Sequence, residues 1–387
     1  MTPPARFNSS RVAAVSFGHF VHDTFSAFLP PLLPLIIDKL NISLTLSASL
    51  TLFQRAPAGA SPWIGLLADR RDLRWAIVLA PGVTTVAMSL MGLAPSYWVL
   101  ALLLLVAGMS SALFHVPSAV VVAAESGRAK GRGVSIYQLA GELARTVGPL
   151  LAVAGVSWWR LEGSWRLAPV GLATSLVLAW GCRKLPRHDS AARSGASFAE
   201  SWRVLRPVML PVLGVVVVRS FLVGAMNTFL PTLLAGEGAS LMSAGGQYSL
   251  YQLAGAAGAL SIGSLSDRYG RRRMIVLATA LSPLLLIAFL FAEGWTRLPL
   301  LFLLGFFALA TTSVMIALIQ ERAADHPGTA HGLFTATGFF LRSVVVLVVG
   351  ALGDWLGLRT AFLISGVLGL AALPLAFRLP RDRGAAE

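Results

Sequence analysis

Charge is scarce in this chain. Lysine, arginine, aspartate and glutamate fill 12% of its 387 positions, about half of the roughly 25% found in soluble domains. Hydrophobic residues fill 56%, more apolar surface than a water-facing globule of this length can hide. A soluble fold is thereby excluded. Cysteine occurs once, as Cys182, so neither a disulfide framework nor a cysteine-ligated zinc site can form. HExxH and GxSxG are both missing, which removes the zinc-protease helix and the hydrolase nucleophile elbow. With no long extramembrane stretch either, an enzyme or a receptor is not expected. Nor is a cleavable signal: the first apolar run is too long, has no convincing cleavage site and leads into further runs.

What the chain does have is a succession of long apolar runs. A helix needs about 20 apolar residues to cross a bilayer, and only helices or closed barrels can span one. Barrel strands would read as short alternating segments, so these runs are helical. They predict twelve spans, at 12–37, 45–67, 75–94, 97–123, 132–156, 165–181, 207–234, 241–264, 274–292, 298–319, 330–352 and 359–377. The formal net charge of +14 does not imply nucleic acid, which would want its basic residues on one exposed face. Of 31 lysines and arginines, 22 fall at the two ends and in the even-numbered loops and five in the odd loops. That bias places both termini in the cytoplasm of a multi-pass protein, expected in the bacterial inner membrane.

The chain also repeats itself. Residues 64–80 (IGLLADRRDLRWAIVLA) and 262–278 (IGSLSDRYGRRRMIVLA) agree at ten of seventeen positions, 198 residues apart. FLPPLL at Phe28–Leu33 is echoed by FLPTLL at Phe229–Leu234. Two six-helix bundles are expected, at 1–182 and 207–387, joined by a cytoplasmic linker at 183–206 rich in serine, alanine and arginine. A finer repeat places Gln54 (TLFQRA), Gln138 (SIYQLA) and Gln252 (SLYQLA) in the second, fifth and eighth spans. Those are the middle members of successive three-helix units, so the glutamines are candidate equivalents. Nested three-helix repeats describe transporters whose site lies at mid-membrane.

The doubled segment carries a known pattern, G-x-L-x-D-R-x-G-R-R/K. Gly263, Leu265, Asp267, Arg268, Gly270, Arg271 and Arg272 match it fully; Gly65, Leu67, Asp69 and Arg70 match its first half, where Asp72 and Leu73 replace the later Gly and Arg. On these residues the chain resembles the major facilitator superfamily over essentially its whole length. The resemblance implies an all-α fold of two pseudo-symmetric bundles around a central cavity, in which this loop acts as a gate. Physically, Gly65 and Gly263 would permit close helix packing, and the aspartate could pair with arginine or a helix N-terminus. Within the superfamily the chain is similar to the fosmidomycin-resistance type of exporter, through Gly18–Pro34 (GHFVHDTFSAFLPPLLP), Ala112–Gly127 and Ser135–Pro149, although Val116 interrupts the usual His-Pro after Phe114-His115. Gly148-Pro149 also resembles the core of the superfamily's antiporter motif; antiport is what that likeness implies.

Ionisable side chains inside a membrane are costly and face a cavity or a partner. His19, His22, Asp23 and Ser26 are spaced three or four apart in the first span, so they share a face. Asp23 is the expected proton carrier, with His22 or His19 tuning it; the alternative is a buried cluster that only orders packing. A metal site is a third reading, but local spacing supplies no further carboxylate or histidine to complete it. In the fifth span Gln138, Glu142, Arg145 and Pro149 share a face. Glu142 and Arg145 can pair there, and the pair would break when an anion takes Arg145 or a proton takes Glu142. His115 faces the same way as Ser111 and Ser118 and is a candidate solute or proton contact.

Arg55, Arg145, Arg219 and Arg342 set four guanidiniums inside spans against two mid-span carboxylates, Asp23 and Glu142. That excess favours an anionic solute, since the arginine fork matches phosphate, phosphonate and carboxylate. Gln54, Asn227, Tyr251 and Gln252 would add neutral hydrogen-bonding capacity. The expected function is a secondary transporter, a proton-coupled antiporter exporting a small anionic solute or drug; an uptake symporter of a small organic anion is the alternative. No cofactor is expected, the proton gradient supplying the energy, and the chain is expected to work as a monomer in the lipid bilayer.

Overall fold

The computed structural model describes residues 7–61, 63, 64, 67, 73–181, 198–322 and 327–380. Among them there is no strand. The first span is two helices, α1 (Ser9–Ser26) and α2 (Leu29–Leu40). The break falls just before Pro30 and Pro31 in the first turn of α2, where a missing N–H costs nothing. Then come α3 (Leu44–Arg55) with a 3₁₀ turn at Ala56–Ala60, α4 (Arg74–Ser89), α5 (Tyr97–Glu125), α6 (Lys130–Trp159) and α7 (Ala168–Gly181). The second half holds α8 (Phe198–Gly236), α9 (Leu241–Tyr269), α10 (Arg271–Phe291), α11 (Arg297–Arg322), α12 (Pro327–Leu356), α13 (Leu358–Leu370) and α14 (Ala372–Phe377).

Every predicted span is thus met by helix, with two corrections of detail. The first and last spans are broken, and α8 begins at Phe198, inside the stretch expected to be linker; residues 183–197 of that stretch lie outside the described ones. Nine helical stretches among the described residues are long and apolar enough to cross a membrane. The outer surface agrees with a bilayer environment. Trp98, Trp158, Trp180, Trp295 and Trp355 all stand exposed at helix ends, the positions where amphipathic rings meet headgroups, while Leu102, Leu176 and Leu260 are exposed between them.

The chain forms two compact units. One comprises Met1–Ile42, Leu50–Arg193 and Ser240–Ser249; the other Ser43–Ser49, Ser194–Ala239 and Leu250–Glu387. The first unit packs Val12 and Val15 of α1 against Ile77, Ala80, Phe114, Tyr137 and Leu178. Its α1 is anchored at the start: Asn8 caps the helix by accepting from the Arg11 N–H at 3.2 Å, and the Arg11 guanidinium holds both Glu125 oxygens at 2.9 and 3.1 Å. The second unit is built around Met209, Val212, Ile275, Met315 and Phe334.

Backbones touch where glycine allows it. A β-carbon on Gly108 of α5 would lie 2.1 Å from the Gln54 carbonyl oxygen of α3, and one on Gly305 of α11 would lie 2.3 Å from that of Tyr251 in α9. Both members of the second crossing lie 197 residues after those of the first, so the internal repeat extends to helix contacts. Near it, Gly258 of α9 sits over the Phe306 carbonyl, 2.1 Å from where its β-carbon would be.

Candidate functional site

Three helices of the first unit converge on Asp23. On α1, His19 Nε2 lies 3.3 Å from its Oδ2 and His22 Nδ1 3.0 Å from its Oδ1. From α5, His115 Nε2 comes within 3.4 Å of Oδ1. His19 and His22 are buried, whereas the His115 side chain keeps 41% of its exposure, so the cluster is open on that side. The rings are fixed by stacking: His19 on Tyr137 of α6 at 4.0 Å and His22 on Phe114 at 4.9 Å. Behind them, His22 Nε2 meets the Thr84 hydroxyl of α4 at 3.0 Å; Thr84 bonds Ser110 at 2.9 Å, and Ser110 donates to the Ala80 carbonyl at 3.0 Å. Tyr137 Oη and Ser118 Oγ are 2.7 Å apart.

One hydrogen bond fixes a tautomer. His19 Nδ1 lies 2.9 Å from the Tyr137 main-chain carbonyl, which can only accept. Nδ1 therefore carries hydrogen, and in the neutral ring Nε2 is a bare lone pair aimed at a carboxylate oxygen. Two acceptors then face each other, an arrangement that either a proton on Nε2 or a bound metal ion would satisfy. The expected cluster of His19, His22 and Asp23 is present; local spacing adds nothing to it, but packing does, bringing His115 from 92 residues away in the chain. His19, Asp23 and His115 each offer one ligand atom, all within 4.8 Å of one another.

The second feature lies further along α6. Arg145 donates to Glu142 three residues before it, with side-chain exposures of 48% and 34%; this is an accessible pair. Arg145 is within electrostatic reach of His115. Of the three glutamines expected to be equivalent, two make matching contacts. Gln54 donates to the Ser26 carbonyl at the end of α1 at 2.8 Å, and Gln252 to Asn227 of α8 at 3.2 Å, so in both units this glutamine ties the second span to the first. Gln138 is exposed; its neighbour Tyr137 is the residue that serves the cluster. In the second unit Arg219 is buried and donates to the Ala308 carbonyl of α11, in electrostatic reach of Tyr251 and Arg342.

The sequence reading missed Thr84, Ser110, Tyr137 and the role of Gly141. A β-carbon on Gly141 would lie 2.6 Å from His19 Cε1 and 2.9 Å from its Nε2, so only a bare backbone fits beside that ring.

Of the doubled loop, Gly65, Asp69 and Arg70 lie outside the described residues. In the second half Gly270 turns the chain between α9 and α10 with φ +97°, a conformation that suits glycine. Arg271 binds Asp267 at 2.5 Å, Glu321 of α11 at 2.7 Å and the Ser266 hydroxyl at 2.7 Å. Arg272 donates to the Phe377 carbonyl at 2.5 Å, and Arg268 ends α9. The packing role expected of Gly263 is wrong: a β-carbon there would meet nothing within 4 Å.

Comparison with known proteins agrees with this architecture. The family model described as Major Facilitator Superfamily matches residues 15–346 and 247–387. The "Fosmidomycin resistance protein" of Escherichia coli (strain K12) is 25% identical, the match covering 99% of this chain and 95% of that one. "Multidrug resistance protein MdtG" of Enterobacter lignolyticus (strain SCF1) is 27% identical, over 74% of this chain and 72% of its own. Among solved structures, a bacterial homologue of the human lysosomal transporter Spinster, inward-facing and occupied, superposes with TM-score 0.83 at 15% identity, covering 98% of this chain and 99% of its own. A D-xylose-proton symporter gives TM-score 0.75 at 16% identity, covering 98% and 100%. At such identities the structural likeness concerns the fold alone.

Proposed function

The chain belongs to the Major Facilitator Superfamily and is a membrane transporter of small molecules; from that premise, we propose that it is a proton-coupled antiporter that exports a small anionic solute. The observation that carries this reading is the accessible Glu142–Arg145 pair on α6. A guanidinium fork half open to solvent is a seat for phosphonate, phosphate or carboxylate.

Antiport requires that proton and solute exclude each other, and the pair restricts which solute achieves this. A plain anion would not: a proton on Glu142 releases Arg145 and so helps the anion bind. A solute with both an anionic head and a hydrogen-bond donor would engage both residues, the head on Arg145 and the donor on the Glu142 carboxylate. Protonating Glu142 then removes the acceptor and expels the solute. The proposed cargo is therefore an anion that also carries a donor. In this reading the coupling cation is the proton. Export is supported by the relatives named for fosmidomycin and multidrug resistance.

Uptake symport of a plain anion is the second reading, favoured by the same pair if the solute lacks a donor. Proteoliposomes holding a pH-sensitive dye separate the two, with fosmidomycin as the first probe. Outward solute flow that acidifies the lumen supports antiport. Flow that carries protons with the solute establishes symport, and flux with no proton movement overturns both.

A further inference from the structure

We infer that His19, Asp23 and His115 form a binding site for a divalent transition-metal ion of the zinc, cobalt and nickel class. The inference concerns the cluster itself and depends on neither the solute nor the direction of its transport.

The geometry suits such an ion. His19 Nε2–Asp23 and His115 Nε2–Asp23 are separated by 3.3 and 3.4 Å. Metal–ligand bonds of about 2.0–2.1 Å in a tetrahedron place neighbouring ligand atoms roughly 3.3–3.4 Å apart. Each contact, His19 Nε2 to Asp23 Oδ2 and His115 Nε2 to Asp23 Oδ1, has the length of one edge of a coordination shell, and one ligand atom from each of the three residues lies within 4.8 Å of the others. Three protein ligands would leave one position for water or solute, on the side where His115 is exposed.

The surroundings suit it as well. Metal-bound histidine typically donates its other ring N–H to a carbonyl or carboxylate, which fixes the tautomer. His19 does so to the Tyr137 carbonyl at 2.9 Å, so the neutral ring presents its Nε2 lone pair to the cluster. His22 sits between Asp23 and Thr84, at 3.0 Å from each, and holds the carboxylate in orientation. Gly141 contributes by having no side chain: its β-carbon would strike the ligating edge of His19. Two imidazoles and one carboxylate favour Zn²⁺, Co²⁺ or Ni²⁺ over the oxygen-seeking Mg²⁺ and Ca²⁺.

The test uses the purified full-length chain, tag removed, stripped of metal in detergent. It is titrated with Co²⁺, whose tetrahedral complexes absorb visibly, and with Zn²⁺ by calorimetry. One equivalent should bind, and His115→Ala and His19→Gln should each weaken binding at least tenfold. Absence of saturable binding by the folded wild type, or wild-type affinity in both variants, overturns the site. Should the histidine variants not fold, thermal unfolding decides. Zn²⁺ should raise the wild-type transition, since an ion that binds only the folded state stabilises it, and should leave Gly141→Ala unmoved; equal shifts in the two overturn the proposal. These readouts involve no solute, so failure of the transport reading leaves them unaffected.

Discussion

Alanine at Gly258 would put a methyl carbon 2.1 Å from the Phe306 carbonyl oxygen, a backbone atom that cannot step aside. An ordinary carbon–oxygen contact is about 3.3 Å, so α9 and α11 would have to part by roughly 1 Å along their crossing. Overpacking of this kind costs about 1–3 kcal/mol. Against it stands the gain of about 0.5–1 kcal/mol that alanine brings over glycine inside a helix. Gly246, also in α9, offers the control, because its β-carbon would meet nothing within 4 Å. The backbone gain cancels between the two variants, leaving the packing term. At about 2–4 °C per kcal/mol for a unit of 150–250 residues, Gly258→Ala should melt roughly 2–12 °C below Gly246→Ala. The assay is thermal unfolding in one detergent at one scan rate, since irreversible transitions shift with rate. Equal transitions for the two variants would refute the close crossing of α9 and α11 at Gly258.

Three further predictions concern the first unit. Asp23→Asn should abolish coupled transport while the protein still folds; full activity in a resistance assay with an efflux-deficient host would remove Asp23 from the mechanism. Arg145→Ala should weaken binding of an anionic solute about 10- to 100-fold, the worth of a charged hydrogen bond of about 1.5–3 kcal/mol, with Arg145→Lys between the two because it keeps the charge but loses the fork. Unchanged affinity on calorimetry would make the pair structural. Thr84→Val should destabilise the protein by about 1–3 kcal/mol, since it leaves the Thr84-facing nitrogen of buried His22 unpaired; an unshifted thermal transition would show that this chain of hydroxyls contributes nothing.

The spans were legible because bilayer thickness demands long apolar runs, and composition alone marks those. Their breaks were less so: Pro30 and Pro31 were visible, yet proline is common inside these helices, as Pro81, Pro117, Pro149 and Pro283 demonstrate. The site was legible where it is local. Helical spacing brought His19, His22 and Asp23 together correctly, and likewise Glu142 with Arg145. It marked His115 as a candidate contact but not as a partner of Asp23, a pairing that helix packing delivers rather than spacing. In SIYQLA the polar residue drew attention, but Gln138 is exposed and takes no part in the Asp23 cluster, whereas the adjacent Tyr137 works through its ring and its carbonyl, a group every residue possesses and no motif records. Gly263 failed for the opposite reason: a glycine that fits the loop pattern need not touch a neighbour.

The glycine crossings at Gly108 over Gln54 and Gly305 over Tyr251 bear on how each bundle can move. Where side chains interdigitate, helices slide by exchanging rotamers. Where one backbone rests on another there are no rotamers to exchange, so the two helices tilt as a single lever. Each half of the chain thus has at least one helix pair without slack at its crossing, and a rearrangement within the half is easier at contacts that run through side chains.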